Sequence, residues 1–169
     1  ATDSTGLYDD AIISFIVNGV PNQPTSLTIS PDPATTAQNL TALASGSVDP
    51  DGSSVSYNYE WLLNGSTQIQ SPTLDSSMTN KGEIWTVHAT PFDGVSSGPY
   101  AEASITIANS EPVVSAVTLT PNAPTTQDDL TCTYTASDLD VNDSLTTTFS
   151  WSINGGTTSE TSSQLSGPF

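Results

Sequence analysis

The sequence predicts an all-β protein built from repeated two-layer sandwiches, and three observations carry that reading. Val55, Tyr57, Tyr59, Trp61 and Leu63 alternate with Ser56, Asn58, Glu60 and Leu62, the period-two pattern of a strand with one buried face. Turn-forming residues, among them 11 Gly and 12 Pro, punctuate all 169 positions, and no stretch sustains a helical period. The pattern also repeats. Ile29-Ser30-Pro31, Thr35-Thr36 and Leu40-Thr41 return as Leu119-Thr120-Pro121, Thr125-Thr126 and Leu130-Thr131. Tyr59-Glu60-Trp61-Leu62-Leu63-Asn64-Gly65 returns as Phe149-Ser150-Trp151-Ser152-Ile153-Asn154-Gly155, at a period of about ninety residues.

Taken in order, the elements divide the chain into three parts. Gly6-Leu7-Tyr8 followed by Ala11, Ile13 and Phe15 echoes Gly98-Pro99-Tyr100 followed by Ala103, Ile105 and Ile107, so residues 1–20 are expected to hold the last strand of a preceding module. Residues 21–111 form a complete module. Leu27 and Ile29 mark an edge strand stopped by Pro31 and Pro33, residues 40–45 the next strand, and residues 55–63 the central one, closed by an Asn64-Gly65 hairpin turn. Lys81-Gly82 turns into a strand over 84–90 and Asp93-Gly94 into another over 101–108. About seven short strands with turns at this spacing suit an immunoglobulin-like sandwich. Residues 112–169 repeat the early strands and reach Phe169 before any counterpart of 84–90, so they are expected to be the first part of a following module. The predicted fold is therefore tandem immunoglobulin-like modules, one complete and one or two partial. Two arrangements explain the partial ones: a window from a longer array, or a polymer in which residues 11–17 of one subunit complete the open sandwich of another.

Charge limits the partners. Eighteen acidic residues face one basic residue, Lys81, for a formal charge of −17. Phosphate backbones require clustered Lys and Arg, and anionic headgroups repel such a surface, so nucleic acid and direct membrane insertion are excluded as expectations. Cations suit the surface, and so does plain solubility in salty water. The longest apolar run, residues 11–17, is strand-sized and far short of the roughly 20 residues of a membrane helix. These residues carry no leader, as expected of a mature or excised segment.

Ala44-Ser45-Gly46-Ser47-Val48-Asp49-Pro50-Asp51-Gly52, continuing to Tyr57 and Trp61, resembles the polycystic-kidney-disease (PKD) repeat and related immunoglobulin-like repeats of large bacterial and archaeal surface proteins. The second copy reads Ala136-Ser137-Asp138-Leu139-Asp140-Val141-Asn142-Asp143 and leads to Trp151. PKD repeats usually follow the tryptophan with Gly-Asp-Gly, where this chain has Asn64-Gly65. The resemblance implies an extracellular, cell-surface or secreted β-sandwich used as spacer, adhesin or surface-layer material. It also implies a disulfide from Cys132 to a later strand, at a position aligned with Val87 and beyond the end of this chain. In the complete module that pair is Ala42 and Val87. The residues alone equally allow Cys132 to be a small buried hydrophobe.

Asp49, Asp51 and Asp93 fall in loops that share one end of such a sandwich, and Asp138, Asp140, Asn142 and Asp143 repeat the pattern. Carboxylates and carbonyls on flexible loops suit calcium, yet Asp, Pro and Gly are equally the residues of tight turns. Asn39, Asn64 and Asn142 head N-glycosylation sequons. His88, the single histidine, has no nucleophile in a recognisable setting, and no catalytic residue is expected. Trp61 and Trp151 read as core, while Trp85 fits either the core or a sugar-binding face. The expected function is non-catalytic and structural, the partners being neighbouring modules of the same or identical chains, surface glycans or other surface proteins. The alternatives are a filament subunit completed by strand addition and an accessory module of a secreted hydrolase.

Overall fold

A computed structural model describes residues 4–6 and 12–168. The chain is all-β, with several sheets consistent with a β-sandwich and a single 3₁₀ turn at Ser76–Met78 among the described residues. No helix in them is long and apolar enough to cross a membrane. The strands are β1 (Ser26–Ser30), β2 (Ala34–Thr35), β3 (Leu40–Ser45), β4 (Ser56–Leu63), β5 (Ser66–Ile69), β6 (Thr73–Leu74), β7 (Ile84–Phe92) and β8 (Ala101–Ala108). They continue as β9 (Val113–Thr120), β10 (Leu130–Ser137), β11 (Ser152–Ile153), β12 (Gly156–Thr157) and β13 (Gln164–Leu165). Four sheets result, ordered β1-β3-β6, β2-β8-β7-β4-β5, β13-β10-β9 and β11-β12. The strands expected over 40–45, 84–90 and 101–108 are all present, and the central one begins at Ser56.

The described residues group into two compact units. One takes its members from Ala1–Ile29, Ala42–Pro72 and Thr86–Ser104, the other from Ser30–Thr41, Thr73–Trp85 and Ile105–Phe169. In the first, Trp61 is fully buried on β4, with Ala42, Ala44, Val87 and Ala89 also in the core. Strand β4 is tied to the β3 segment by its tyrosines, whose hydroxyls accept the N–H groups of Ala44 (Tyr59, 2.9 Å) and Ser47 (Tyr57, 3.1 Å). The β4–β5 hairpin turns at Asn64 and Gly65 with φ of 52° and 76°, the left-handed pair that a two-residue turn of this hand needs. Ala42 and Val87, the expected apolar pair, are both buried.

In the second unit, residues of both sequence copies adopt the same local structure. Leu40 pairs with Leu74 and Thr41 with Thr73; ninety positions on, Leu130 pairs with Leu165 and Thr131 with Gln164. Strand β10 pairs with β9 across a register shift between Thr133 and Thr135, near Ala116, which adopts φ of 49°. The hairpin recurs too, with β11 and β12 joined through Asn154 and Gly155 at φ of 50° and 83°.

Two expected strands differ. Residues 12–17 join no ladder among the described residues, and residue 11 lies outside them. The expected central strand of the second copy is reduced to Ser152–Ile153. Strand β4 is held between β7 and β5, and no counterpart of β7 occurs among the described residues to hold residues 149–151. On the hairpin side Trp151 keeps one bond, its carbonyl accepting the Thr158 N–H at 2.9 Å, and a segment with so few ladder bonds has little to offset its lost entropy. Trp151 is accordingly half-buried, its indole N–H donating to the Ser162 carbonyl at 2.9 Å, whereas Trp61 is enclosed.

This contrast gives a direct test. Leu40→Ala, at a fully buried site, should cost about 2–5 kcal/mol in denaturant titration. Leu130→Ala, at its half-buried counterpart, should cost less than half as much.

Candidate functional site

The Asp-Pro-Asp-Gly loop before β4 organises itself first. Asp49 is buried, and its Oδ1 accepts the N–H groups of Asp51 (2.9 Å) and Ser53 (3.2 Å), the local bonding that makes Asp a turn residue. That turn presents the Asp51 carboxylate to the segment ahead of β1, where Oδ2 accepts the Gly19 N–H at 2.5 Å. Asn18 is held from another direction: its amide donates to Asp93 Oδ2 (3.0 Å) and Ser96 Oγ (3.2 Å). Asp93 Oδ1 in turn accepts the N–H groups of Val95 and Ser96. Bonds from the Ser96 N–H, the Asn18 amide and the Val95 N–H hold the Asp93 carboxyl below the usual range.

The second acidic loop does the same with other partners. Asp138 Oδ1 accepts the Asp140 N–H at 2.9 Å, and Asp140, itself buried, accepts the Ser110 N–H (2.7 Å) and the Thr36 hydroxyl (2.8 Å). The Thr36 and Ser110 hydroxyls lie 2.6 Å apart, closing a buried polar network. Lys81 reaches both oxygens of Asp143 at 2.8 Å. The bond to Asp143 raises the Lys81 pKa against the opposing effect of desolvation, with Asp140 and Asp138 adding their attraction. Asn142 is exposed beside them.

The two arrangements are one motif used twice. Asn18-Gly19-Val20-Pro21 corresponds to Asn109-Ser110-Glu111-Pro112, and Asp49-Pro50-Asp51 to Asp138-Leu139-Asp140. In each, the first Asp caps the N–H of the second, and the second accepts the N–H of the residue after the asparagine. The asparagine amide also donates to the next carbonyl in each copy. Thr36, Ser110, Asn18 and Gly19 were not marked as site residues by the sequence. The signal that would have found them is the Asn-x-x-Pro spacing, which returns with the Asp-x-Asp loop.

Of the residues expected to bind calcium, Asp51, Asp93, Asp138, Asp140 and Asp143 thus face backbone N–H groups, side-chain donors or Lys81, and Asp49 does so through Oδ1. Among the described residues no three His, Cys, Asp or Glu side chains form a set able to hold a metal ion. Of the sequons, Asn64 stands exposed at a hairpin tip and Asn142 on the acidic loop. Asn39 is exposed but uses its Oδ1 to accept the Ser76 N–H at 2.8 Å. Cys132 is a free, half-buried thiol. Trp85 is buried and donates its indole N–H to Glu83, which places it in the core. His88 lies between Glu60 (3.1 Å) and Glu102 (3.0 Å) with Tyr100 stacked on its ring at 4.1 Å, a ladder across three neighbouring strands. No protein-family model, curated protein or solved structure matches the chain.

Two outcomes follow from this chemistry. Asp140→Asn should cost about 1.5–3 kcal/mol, because it removes a charged acceptor from two buried donors. Exposed Asp51→Asn should cost less, both read by denaturant titration. Acid tests the turns. Donors from Ser77, Ser96, Thr125 and Ser162 hold Asp75, Asp93, Asp128 and Glu160 below their ordinary values. Groups depressed in the folded state stabilise it above their unfolded pKa, and that contribution is lost as pH falls through the lower folded values. The thermal midpoint of these turns should therefore fall only below about pH 4.

Proposed function

We propose that the chain is a length of a tandem immunoglobulin-like, PKD-like array that works outside the cell as non-catalytic structural or adhesive material. Its modules would divide as residues 1–20, 21–111 and 112–169, with neighbouring modules of the same or identical chains as principal partners. The observation that carries this reading is the doubled joint motif. At 18–19 and again at 109–110, the residue entering a module is bonded to that module's own Asp-x-Asp loop. A spacer or stalk transmits length only if its joints resist bending. Buried carboxylate bonds such as those of Asp140 supply that resistance, because rotation about the joint would leave two donors unpaired. At the other joint the Gly19 N–H bond to Asp51 Oδ2 acts in the same way.

One observation favours a second reading of the first loop. Asp49 Oδ2 is buried without a hydrogen-bond partner, as a ligand to calcium would be. Melting with EDTA and with added calcium separates the two: no change supports the hydrogen-bonded joint, and a calcium-dependent midpoint assigns the loop to the cation.

The array is tested by pulling. Single molecules of the natural parent protein should unfold in equal steps of roughly 300 Å, the extended length of about ninety residues. Antibodies to the chain should label intact cells or the secreted fraction. Irregular steps or purely internal labelling would reject the proposal.

A further inference from the structure

Strand β4 is paired along one of its sides for only part of its length. Strand β5 meets it at Trp61, Leu62 and Leu63, and after Ile69 the chain leaves that sheet, the next strand, β6, belonging to the β1-β3-β6 sheet. Residues 56–60 of β4 therefore have β7 on one side and no strand on the other among the described residues. The gap is made by the path of residues 66–72, inside the chain, and not by either terminus.

Strand geometry says which backbone groups face the gap. Leu63 lies opposite Ser66 across the two-residue Asn64-Gly65 turn, where hairpin partners exchange both backbone bonds. The register shift places its extra residue on β5, so β4 keeps its alternation, and Tyr59 and Tyr57 direct their N–H and C=O groups to the same side as Leu63. A groove of about 610 Å³ lies there, with Tyr57, Tyr59, Glu60 and residues 70–72 among its lining. We propose that this edge is a docking site for an extended, basic segment of a partner protein, which adds to β4 as a further strand.

Two features set the chemistry of that segment. Tyr57 and Tyr59 turn inward, their hydroxyls accepting the Ser47 and Ala44 N–H groups, while Glu60 turns outward to His88. A strand laid alongside places residues opposite the tyrosines on the inner face and those opposite Asn58 and Glu60 on the outer one, so apolar and basic residues alternate in the partner. Glu60 meets His88 through Oε1 and accepts the Thr67 hydroxyl through Oε2, and a carboxylate with about four acceptor positions has room for a further Lys or Arg donor. The compact unit that holds β4 contains no Lys or Arg, so a basic segment is attracted and an acidic one repelled. The proposal goes beyond the array reading and uses a different observation, so its failure leaves that reading untouched.

Amide hydrogen exchange of the full chain reads the edge residue by residue, with a short synthetic peptide of alternating Lys and Val as the probe. In the free chain the Tyr57 and Tyr59 amides should exchange at least about tenfold faster than those of Asn58 and Glu60, which face β7. Saturating peptide should slow Tyr57 and Tyr59 by about tenfold or more and leave Asn58 and Glu60 unchanged, an alternation that strand addition produces and diffuse charge attraction does not. Added salt should weaken binding by screening, and Glu60→Gln should weaken it about two- to fivefold. A peptide of alternating Glu and Val should not protect, and methylating alternate peptide nitrogens, which keeps the charge and removes the pairing, should abolish protection. The proposal is overturned if Tyr57 and Tyr59 are already as slow as their neighbours in the free chain, or if the acidic or the methylated peptide protects them equally well. Protection that rises with protein concentration alone overturns it too, and assigns the edge to a second copy of this chain.

Discussion

A chain with eighteen carboxylates and one amine has almost no cations with which to balance its charge, and the fold is arranged around that shortage. Acidic side chains sit where the backbone turns, because turns concentrate N–H groups that no strand partner claims. Asp75 takes the Ser77 N–H, Asp93 those of Val95 and Ser96, Asp128 that of Thr125, and Glu160 those of Thr161 and Ser162. Each carboxylate so placed pairs backbone N–H groups of its own turn. The single lysine pairs with Asp143, where Asp138 and Asp140 add their attraction.

The same economy explains the doubled pairing of an asparagine segment with an Asp-x-Asp loop. An Asp-x-Asp loop has one carboxylate for its own turn and one to offer outward. The outward one accepts the N–H of Gly19 in one copy and of Ser110 in the other. Burial differs between copies, since Asp49 is enclosed in the first and Asp140 in the second. The second outward carboxylate is therefore the more strongly constrained, with a hydroxyl network added to its backbone bond.

Local structure was legible in the sequence to the extent that it depends on nearest neighbours. Period-two alternation located β4, the Lys81-Gly82 and Asp93-Gly94 turns announced β7 and β8, and Asn-Gly marked both hairpins, since short-range sterics decide where a strand can run and where φ must turn positive. The acidic loops were legible as turns, but not their partners: the donor to Asp51 lies 32 residues away and the donor to Asp140 lies 30 away. The ladder of Glu60, His88 and Glu102 was invisible for the same reason, because only strand register aligns residues 28 and 14 positions apart. Residues 149–151 show the limit from the other side. Their alternation is sound, yet a strand is a property of a pair.

By itself the amino-acid order determined an all-β chain, its turns, its repeat and its unusual charge, since each follows from residue chemistry over a few positions. Tertiary structure alone decided which apolar faces are covered and which carboxylates are occupied. Burial and hydrogen bonding depend on what lies opposite in space, so Trp61 and Trp151, with the same local pattern, end in different surroundings.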